Sequence, residues 1–342
     1  QENDTTTQIL TTDSLQTDTL SLLFAGDLMQ HQGQINAART STGYDYSTCF
    51  AYVKEEIKKA DLSIANLEVT LGGKPYKGYP AFSAPDEFLT AIHDAGFNVL
   101  VTANNHSLDR GKSGLERTIQ LIDSLKVPHA GTYINADERE KKYPLLLEKN
   151  GFRIALLNYT YGTNGIPVTP PNIVNYIDTA IIVKDIEESK AMKPDAIIAC
   201  MHWGIEYQSL PDKEQKFLTD WLLRKGVNHI IGCHPHVVQP IEIRKDSLTN
   251  GKHLVVYSLG NYISNMSARR TDGGLMVKME LVKDSTTRLN HCEYSLVWTA
   301  RPAQSGKKNH QLLPINFPTD SISVNARNSL RIFANDARAL FN

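Results

Sequence analysis

Short apolar runs bounded by polar or turn-forming residues recur along the chain, and each is long enough for one buried strand. They predict strands over residues 20–25, 62–66, 98–102, 195–200, 229–232 and 254–257. Two further runs, 145–148 and 152–158, flank Asn150-Gly151, which is a strong signal for a two-residue hairpin turn. Residues 274–282 and 290–299 are predicted to form a final antiparallel pair.

Between these runs, apolar residues recur with the spacing of an amphipathic helix. The pattern predicts helices over residues 46–60, 85–95, 113–125, 179–191, 213–225 and 328–341. Strand–helix alternation followed by strands in sequence favours an α/β fold with mixed sheets. We expect one domain over residues 20–342, closed by the C-terminal strands and helix.

The composition is that of a globular protein and narrows the function. Of the 342 residues, 41% are hydrophobic and 21% are charged, and the formal net charge is −1. A general nucleic-acid binder has a basic excess, so no nucleic-acid partner is predicted. No apolar run approaches the roughly 18 residues of a membrane-spanning helix, so no transmembrane segment is predicted.

The N-terminal segment is predicted to be a disordered polar tether over residues 1–19. Residues 1–20 contain seven Thr, four acidic residues and no basic residue, a composition that buries little apolar surface. Because the chain begins with Gln1, we interpret it as an exported protein, periplasmic or on the cell surface and tethered to the membrane through this segment. The disordered terminus of a cytosolic protein is the alternative.

The cysteines do not predict a metal or redox motif. Cys49, Cys200, Cys233 and Cys292 are widely spaced and form no CxxC pair. Cys200 and Cys233 end strand-like runs, which favours buried thiols, and a disulfide stays open as an alternative.

Polar side chains follow the carboxyl ends of six strand-like runs, where open α/β sheets bind their ligands. These side chains are Asp27, Glu68, Asn105, His202, the pair His234 and His236, and Asn261. Carboxylates, an amide and imidazoles suit divalent ions such as Mn, Fe, Zn or Co. Each residue alone has a structural explanation, such as a turn, a cap or a hydrogen-bonded histidine; the combination predicts a site for one or two ions. Three residues are predicted to contact the substrate: Asn261 at its strand end, Trp203 in a pocket wall and Arg269 against an anionic group. Packing would also explain Trp203, and solvation would also explain Arg269.

Six motifs occur in a characteristic order along residues 20–265. They are Gly26-Asp27-Leu28-Met29, Asn66-Leu67-Glu68, Ala103-Asn104-Asn105-His106-Ser107-Leu108-Asp109, His202-Trp203-Gly204, Gly232-Cys233-His234-Pro235-His236-Val237 and Ser258-Leu259-Gly260-Asn261. In these motifs the chain resembles the bacterial capsule-synthesis family typified by the poly-γ-glutamate proteins CapA and PgsA. That family is in turn similar to the calcineurin-like metallophosphoesterases, which implies a four-layer α/β/β/α sandwich with two mixed sheets.

The resemblance also implies roles for individual residues. His106 matches a histidine that contacts the substrate or its leaving group, and Asp109 is expected to orient it. The positions that match metal ligands are Asp27, Glu68 at the bridging position, Asn105, His202, His234 and His236.

Three positions depart from the superfamily pattern. Met29 stands where the first motif has a histidine, Glu68 is one methylene longer than the usual aspartate, and Asn104 replaces a glycine. A mononuclear site and an atypical binuclear site are both compatible with these differences.

Two functions follow from the resemblance. The first is a metal-dependent hydrolase or transferase of the cell envelope, in which the ions activate water and His106 acts as general acid on a phosphoester or on an amide of an anionic polymer. The alternative is a non-catalytic component of a membrane polymer-synthesis or export complex that uses metal to bind a polyanion. A purely structural protein would need all six strand ends to be polar for packing reasons alone.

Overall fold

The computed structural model describes residues 6–10 and 18–341. The strands are β1 Thr6–Leu10, β2 Asp18–Leu28, β3 Leu62–Leu67, β4 Val99–Val101, β5 His129–Ala130, β6 Thr132–Tyr133, β7 Leu145–Lys149, β8 Phe152–Thr160, β9 Ile173–Val174, β10 Ala196–His202, β11 His229–Cys233, β12 Ile241–Lys245, β13 Lys252–Val256, β14 Asn261–Ile263, β15 Gly273–Lys283, β16 Thr287–Ala300 and β17 Gln311–Pro314. The helices are α1 Gln32–Ala38, α2 Lys54–Lys59, α3 Asp86–Ala95, α4 Gly111–Ser124, α5 Ala136–Lys142, α6 Thr179–Ala191, α7 Lys213–Lys225, α8 Pro302–Ser305 and α9 Val324–Arg338.

Two mixed sheets organise the described part of the chain. The first has nine strands in the order β1-β16-β15-β2-β3-β4-β5, with β14 beside β2 and β17 beside β16. Its β2, β3, β4 and β5 are parallel, whereas β15 is antiparallel to both of its neighbours, β2 and β16. The second has six strands in the order β12-β13-β11-β10-β8-β7, with a parallel centre and antiparallel edges.

The alternation of side chains along each strand builds four layers. Leu22 and Phe24 of β2 point into a core that they share with Leu156 of β8, between the two sheets. Leu23 belongs instead to a core that contains residues of α2, α3 and α4. A third core packs α6 and α7, the latter through Leu218, against the outer face of the second sheet. The predicted α/β/β/α sandwich is therefore confirmed.

Most predicted elements are present, but the helix predicted over residues 46–60 is wrong in its first half. Only α2, Lys54–Lys59, is helical there. Tyr46, Phe50 and Val53 are buried at helix-like spacing, but the backbone that carries them forms successive tight turns. In these turns the amides of Cys49 and Val53 donate to carbonyls three residues earlier. Periodicity alone does not separate such turns from a helix.

The tether prediction is corrected where the structure describes the segment. Residues Thr6–Leu10 form β1, which pairs with β16, and β2 begins at Asp18. The rest of the predicted tether, residues 1–5 and 11–17, lies outside the described residues. No helix in the described part of the chain has the length and apolar character needed to cross a lipid bilayer.

All four cysteines are described, and all are buried free thiols. Cys200 and Cys233 lie in the core between the sheets. Burial raises the pKa of the Cys200 thiol to about 12, which suits a packing role. The expectation of buried thiols is confirmed.

The hairpin joining β7 to β8 provides a test of the turn prediction. Asn150 and Gly151 have φ angles of 50° and 78°, as a type I′ turn requires. A Cβ on Gly151 would meet no atom within 4 Å, so Gly151→Ala tests the backbone alone. We expect it to lower the free energy of unfolding by about 1 kcal/mol in denaturant titrations. Gly162→Ala, with equal space and no positive φ, is the control; equal effects of the two would contradict the assignment.

Candidate metal centre

Strand ends from both sheets bring the predicted ligands together. Asp27 lies near the end of β2, beside Asn66 of β3, and Glu68 follows β3 directly. From the second sheet, His202 ends β10 beside Cys233 of β11. All six predicted ligands are buried: Asp27, Glu68, Asn105, His202, His234 and His236.

Glu68 occupies the centre of this arrangement. Its Oε1 lies 3.7 Å from His202 Nε2 and 3.8 Å from His236 Nε2. Asn105 Oδ1 lies 2.9 Å from His202 Nε2. Two atoms that each bind one ion at about 2.1 Å are at most about 4.2 Å apart, so these spacings suit shared cations.

The potential ligands form overlapping groups around Glu68. Glu68, His202 and His234 make one group whose ligand atoms lie within 4.8 Å of one another, and Asp27, Glu68 and His236 make a second with the same limit. Because Glu68 belongs to both, its carboxylate would be the shared ligand if two ions were bound. These residues can therefore hold a metal centre of one or two ions.

Asn66 supports the carboxylates and was missed by the sequence analysis as a site residue. Its Nδ2 donates to Asp27 Oδ1 at 2.8 Å and to Glu68 Oε2 at 3.2 Å. Asn104 Nδ2 in turn donates to Asn66 Oδ1 at 3.2 Å and to the Leu67 carbonyl at 2.8 Å. This gives the asparagine at position 104 a supporting role behind the ligands.

The two central carboxyl groups have opposite pKa shifts. Burial alone would raise the pKa of Asp27, but its hydrogen bond with His236 and the nearby imidazoles outweigh burial and hold the pKa well below its usual range. Burial, and after it the negative charge of Asp27, raises the pKa of Glu68 well above its usual value. A bound cation would relieve this repulsion, which is the environment expected of a metal site.

Two imidazoles are held neutral. Burial, reinforced by His234, lowers the pKa of His202 well below its ordinary value. Burial, reinforced by His236, lowers the pKa of His234 to about 3. Both rings therefore have a nitrogen lone pair available near neutral pH, as metal binding requires.

Unsatisfied buried atoms supply an independent test of the fit. Among the described residues, Glu68 Oε1 and His234 Nδ1 are buried and have no hydrogen-bond partner. Leaving such atoms unpaired is costly in a folded protein. A divalent cation bound by Glu68 would satisfy its Oε1, so the donor set fits the metal that the resemblance implies.

An open cleft of about 770 Å³ reaches the ligands and carries the predicted general acid. Asn105, His106, Asp109 and His234 are among its lining residues. His106 Nδ1 lies 2.7 Å from Asp109 Oδ2, which also accepts a hydrogen bond from the amide of Phe82. This hydrogen bond fixes the His106 ring so that its Nε2 lies on the side away from Asp109. The arrangement suits a proton donor beside the metal ligands.

The three residues proposed for substrate contact lie elsewhere or act differently. Asn261 is buried and places Oδ1 2.9 Å from His236 Nδ1, so it orients a ligand rather than facing the cleft. Trp203 is buried in the helix-side core of the second sheet, where its indole N–H donates to the carbonyl of Tyr257. Arg269 pairs with Asp336 on α9 and does not line the cleft. The substrate-contact predictions for Trp203 and Arg269 are therefore corrected.

Position 29 provides no ligand, and a carboxylate from another loop lies nearby. Met29 is buried in the apolar core beneath α2, α3 and α4. Glu206 instead places Oε1 3.8 Å from His236 Nε2. Glu206 lies four residues after His202, in a loop between a strand and a helix. This short distance in sequence could have indicated Glu206 as a site residue, but it does not show which way the side chain faces.

Comparison with solved structures finds matches at low sequence identity. The sulfate thiohydrolase SoxB of Thermus thermophilus is 11% identical, with a TM-score of 0.46 over 96% of this chain and 62% of that one. The 5'-nucleotidase of Candida albicans is 10% identical, also with a TM-score of 0.46, over 96% of this chain and 60% of its own. Both TM-scores are below 0.5, so the fold assignment rests on this chain's own sheets and cores.

Sequence relatives and a family model agree on the family. The capsule biosynthesis protein CapA of Bacillus anthracis is 28% identical over 79% of this chain and 66% of its own length. The PGA biosynthesis protein CapA of Bacillus subtilis is 28% identical over 79% of this chain and 70% of its own. The model of the family described as bacterial capsule synthesis protein PGA_cap matches residues 21–266. The chain belongs to this capsule synthesis family.

Proposed function

We propose that this chain is a cell-envelope hydrolase or transferase that depends on one or two bound Mn, Fe or Zn ions. It would act in the synthesis or processing of a capsule polymer of the poly-γ-glutamate type. The observation that carries this proposal is the pair of ligand groups sharing Glu68, reached by the same open cleft as the His106–Asp109 pair.

The proposed chemistry divides roles between the ions and the protein. When bound, divalent ions in such a site activate water and polarise the bond that is broken. Glu68 and the surrounding imidazoles would hold the ions, while Asn66 keeps the Asp27 and Glu68 carboxylates in place. His106, held by Asp109, donates a proton to the leaving group from Nε2.

The walls of the cleft indicate how a substrate would be bound. Of the described residues that line it, none is Lys or Arg, and Tyr79, Tyr161 and Ile205 are exposed apolar or aromatic members. Because the described lining offers no Lys or Arg, a phosphate or carbonyl oxygen of the substrate would bind to the ions. The lining therefore offers an extended polyanion few positive charges along its length, which favours contact with one reacting bond of a polymer over tight binding of the whole polymer and so favours the enzyme.

We further propose that the protein is exported to the periplasm or cell surface, works with a membrane polymer-synthesis complex and acts on an anionic polymer or a phosphoester. The support is family membership and the relatives whose printed names refer to capsule and PGA biosynthesis. Because the alignment with the Bacillus anthracis relative spans 66% of its length, the activity of that whole protein is a proposal here.

The proposal is tested by turnover with defined metals. Metal-stripped protein is reconstituted separately with Mn²⁺, Fe²⁺ or Zn²⁺ and assayed on a phosphomonoester, a phosphodiester and a γ-glutamyl amide, with the stripped protein as control. We expect at least one reconstituted form to hydrolyse one of these classes. Affinity for poly-γ-glutamate without turnover of any of them would favour the binder instead.

A further inference from the structure

We propose that Glu206 is a metal ligand that completes the ion site around His236. It would take the role of the histidine that the superfamily pattern has at position 29, where this chain has Met29. This inference rests on the proposed metal centre and specifies its second cation site. The ligand would be a divalent transition-metal ion, for which carboxylate oxygens and imidazole nitrogen are suitable donors.

The orientation of His236 shows where this ion would lie. His236 Nδ1 is 3.1 Å from Asp27 Oδ2 and 2.9 Å from Asn261 Oδ1, two acceptors that fix the hydrogen on Nδ1. The lone pair is therefore on Nε2, which faces away from them. Nε2 lies 3.8 Å from Glu68 Oε1 and 3.8 Å from Glu206 Oε1.

The donors around Nε2 form a set of the right size for an ion. Glu206, His234 and His236 have ligand atoms that all lie within 4.8 Å of one another. Because a neutral imidazole offers one lone pair, His234 would bind one of the two ions, and Glu206, His236 and Glu68 are the donors for the ion beside His236. Glu68 Oε1, the buried atom without a hydrogen-bond partner, faces the same nitrogen. Asp27 Oδ2 also orients His236 through Nδ1, as carboxylates often do behind metal-bound histidines.

The loop carrying Glu206 is held in place by the protein, so its position does not depend on an ion. The amide of Tyr207 donates to the carbonyl of Pro235, between the two histidines, at 2.8 Å. Gln239 Nε2 donates to the carbonyl of Gln208 at 2.8 Å, and Gln215 Nε2 donates to Gln239 Oε1 at 2.7 Å. Trp203 anchors the start of the loop in the core.

The side chain of Glu206 is also open on one side. It is 43% exposed and lines the cleft, whereas Glu68 is fully buried. A partly exposed ligand gives an ion a route of entry and leaves room for water or substrate at the same ion. Met29 cannot take this role, because it lies in the apolar core.

The test is a calorimetric titration of the metal-stripped full chain with Mn²⁺, combined with electron paramagnetic resonance of the loaded protein. We expect the parent to bind two ions and to show the signal of a coupled Mn²⁺ pair. Glu206→Gln should keep one ion at the parent affinity, bind the other about tenfold or more weakly and lose the coupled signal. Glu140→Gln removes the same charge from an exposed residue of α5 and should match the parent.

The outcomes separate this inference from the proposed function. If Glu206→Gln binds two ions as tightly as the parent, or the parent binds only one ion, the role of Glu206 is overturned while a metal centre stands. A parent that binds no ion overturns the metal centre and, with it, the proposed function. Thermal unfolding of both variants confirms that any loss of binding is local.

Discussion

Replacing Glu68 with glutamine is expected to abolish tight metal binding while leaving the metal-free protein as stable as the parent. Glu68 belongs to both ligand groups, and its Oε1 faces His202 and His236. Losing even a supporting contact typically weakens metal binding by about 10- to 100-fold. We therefore expect loss of the shared ligand Glu68 to weaken metal affinity by about 100-fold or more, as measured by calorimetric titration.

Stability of the metal-free protein distinguishes this effect from unfolding. Burial and the negative charge of Asp27 raise the pKa of Glu68 well above its usual value, so the metal-free fold gains little from the charged form. Glutamine has the shape of the protonated side chain and should leave the unfolding temperature unchanged. Glu56→Gln changes a glutamate of α2 whose pKa burial also raises, and should bind metal normally. Unchanged metal affinity in Glu68→Gln would contradict its bridging role.

Replacing His106 with alanine is expected to lower kcat by about 10²- to 10⁴-fold, the usual contribution of a general acid, with metal content near that of the parent. The separation follows from geometry, because His106 pairs with Asp109 and belongs to neither ligand group containing Glu68. The measurements are kcat on a substrate identified by the turnover screen and metal content of the same preparation.

Asp109→Asn provides the graded comparison for His106→Ala. Asp109 Oδ2 accepts a hydrogen bond from the backbone amide of Phe82 and orients the His106 ring. The side-chain oxygen of the asparagine should still accept from Phe82, but it should orient the ring less firmly than the carboxylate does. We expect a smaller fall in kcat and unchanged metal content. Parallel loss of metal and activity in His106→Ala would show that His106 supports the metal centre and is not the general acid.

The strand ends could be predicted from the sequence because two local signals coincide there. A short apolar run identifies the strand, and the first polar side chain after it identifies the rim where parallel strands end. Asp27, Glu68 and His202 follow that rule and meet as expected. The same periodicity overextended the helix before Lys54, since tight turns can bury residues at helix-like spacing.

Other parts of the site depend on tertiary contacts that spacing does not encode. Glu206 is brought to His236 by the hydrogen bond between Tyr207 and Pro235, from loops that follow different strands. Trp203 is adjacent to His202 in sequence but points to the opposite face of the sheet, where it packs under the helices. Arg269 is held by Asp336, a partner from the distant helix α9. Each assignment required knowing which face a side chain occupies.

The most direct test of the metal centre is the metal content of protein purified without chelator or nickel affinity and then reconstituted. Plasma mass spectrometry on the parent should find about one or two equivalents of Mn, Fe or Zn. A His234→Ala/His236→Ala variant should show a clear loss, because both residues belong to the ligand groups. A parent that remains empty after reconstitution would contradict the metal centre.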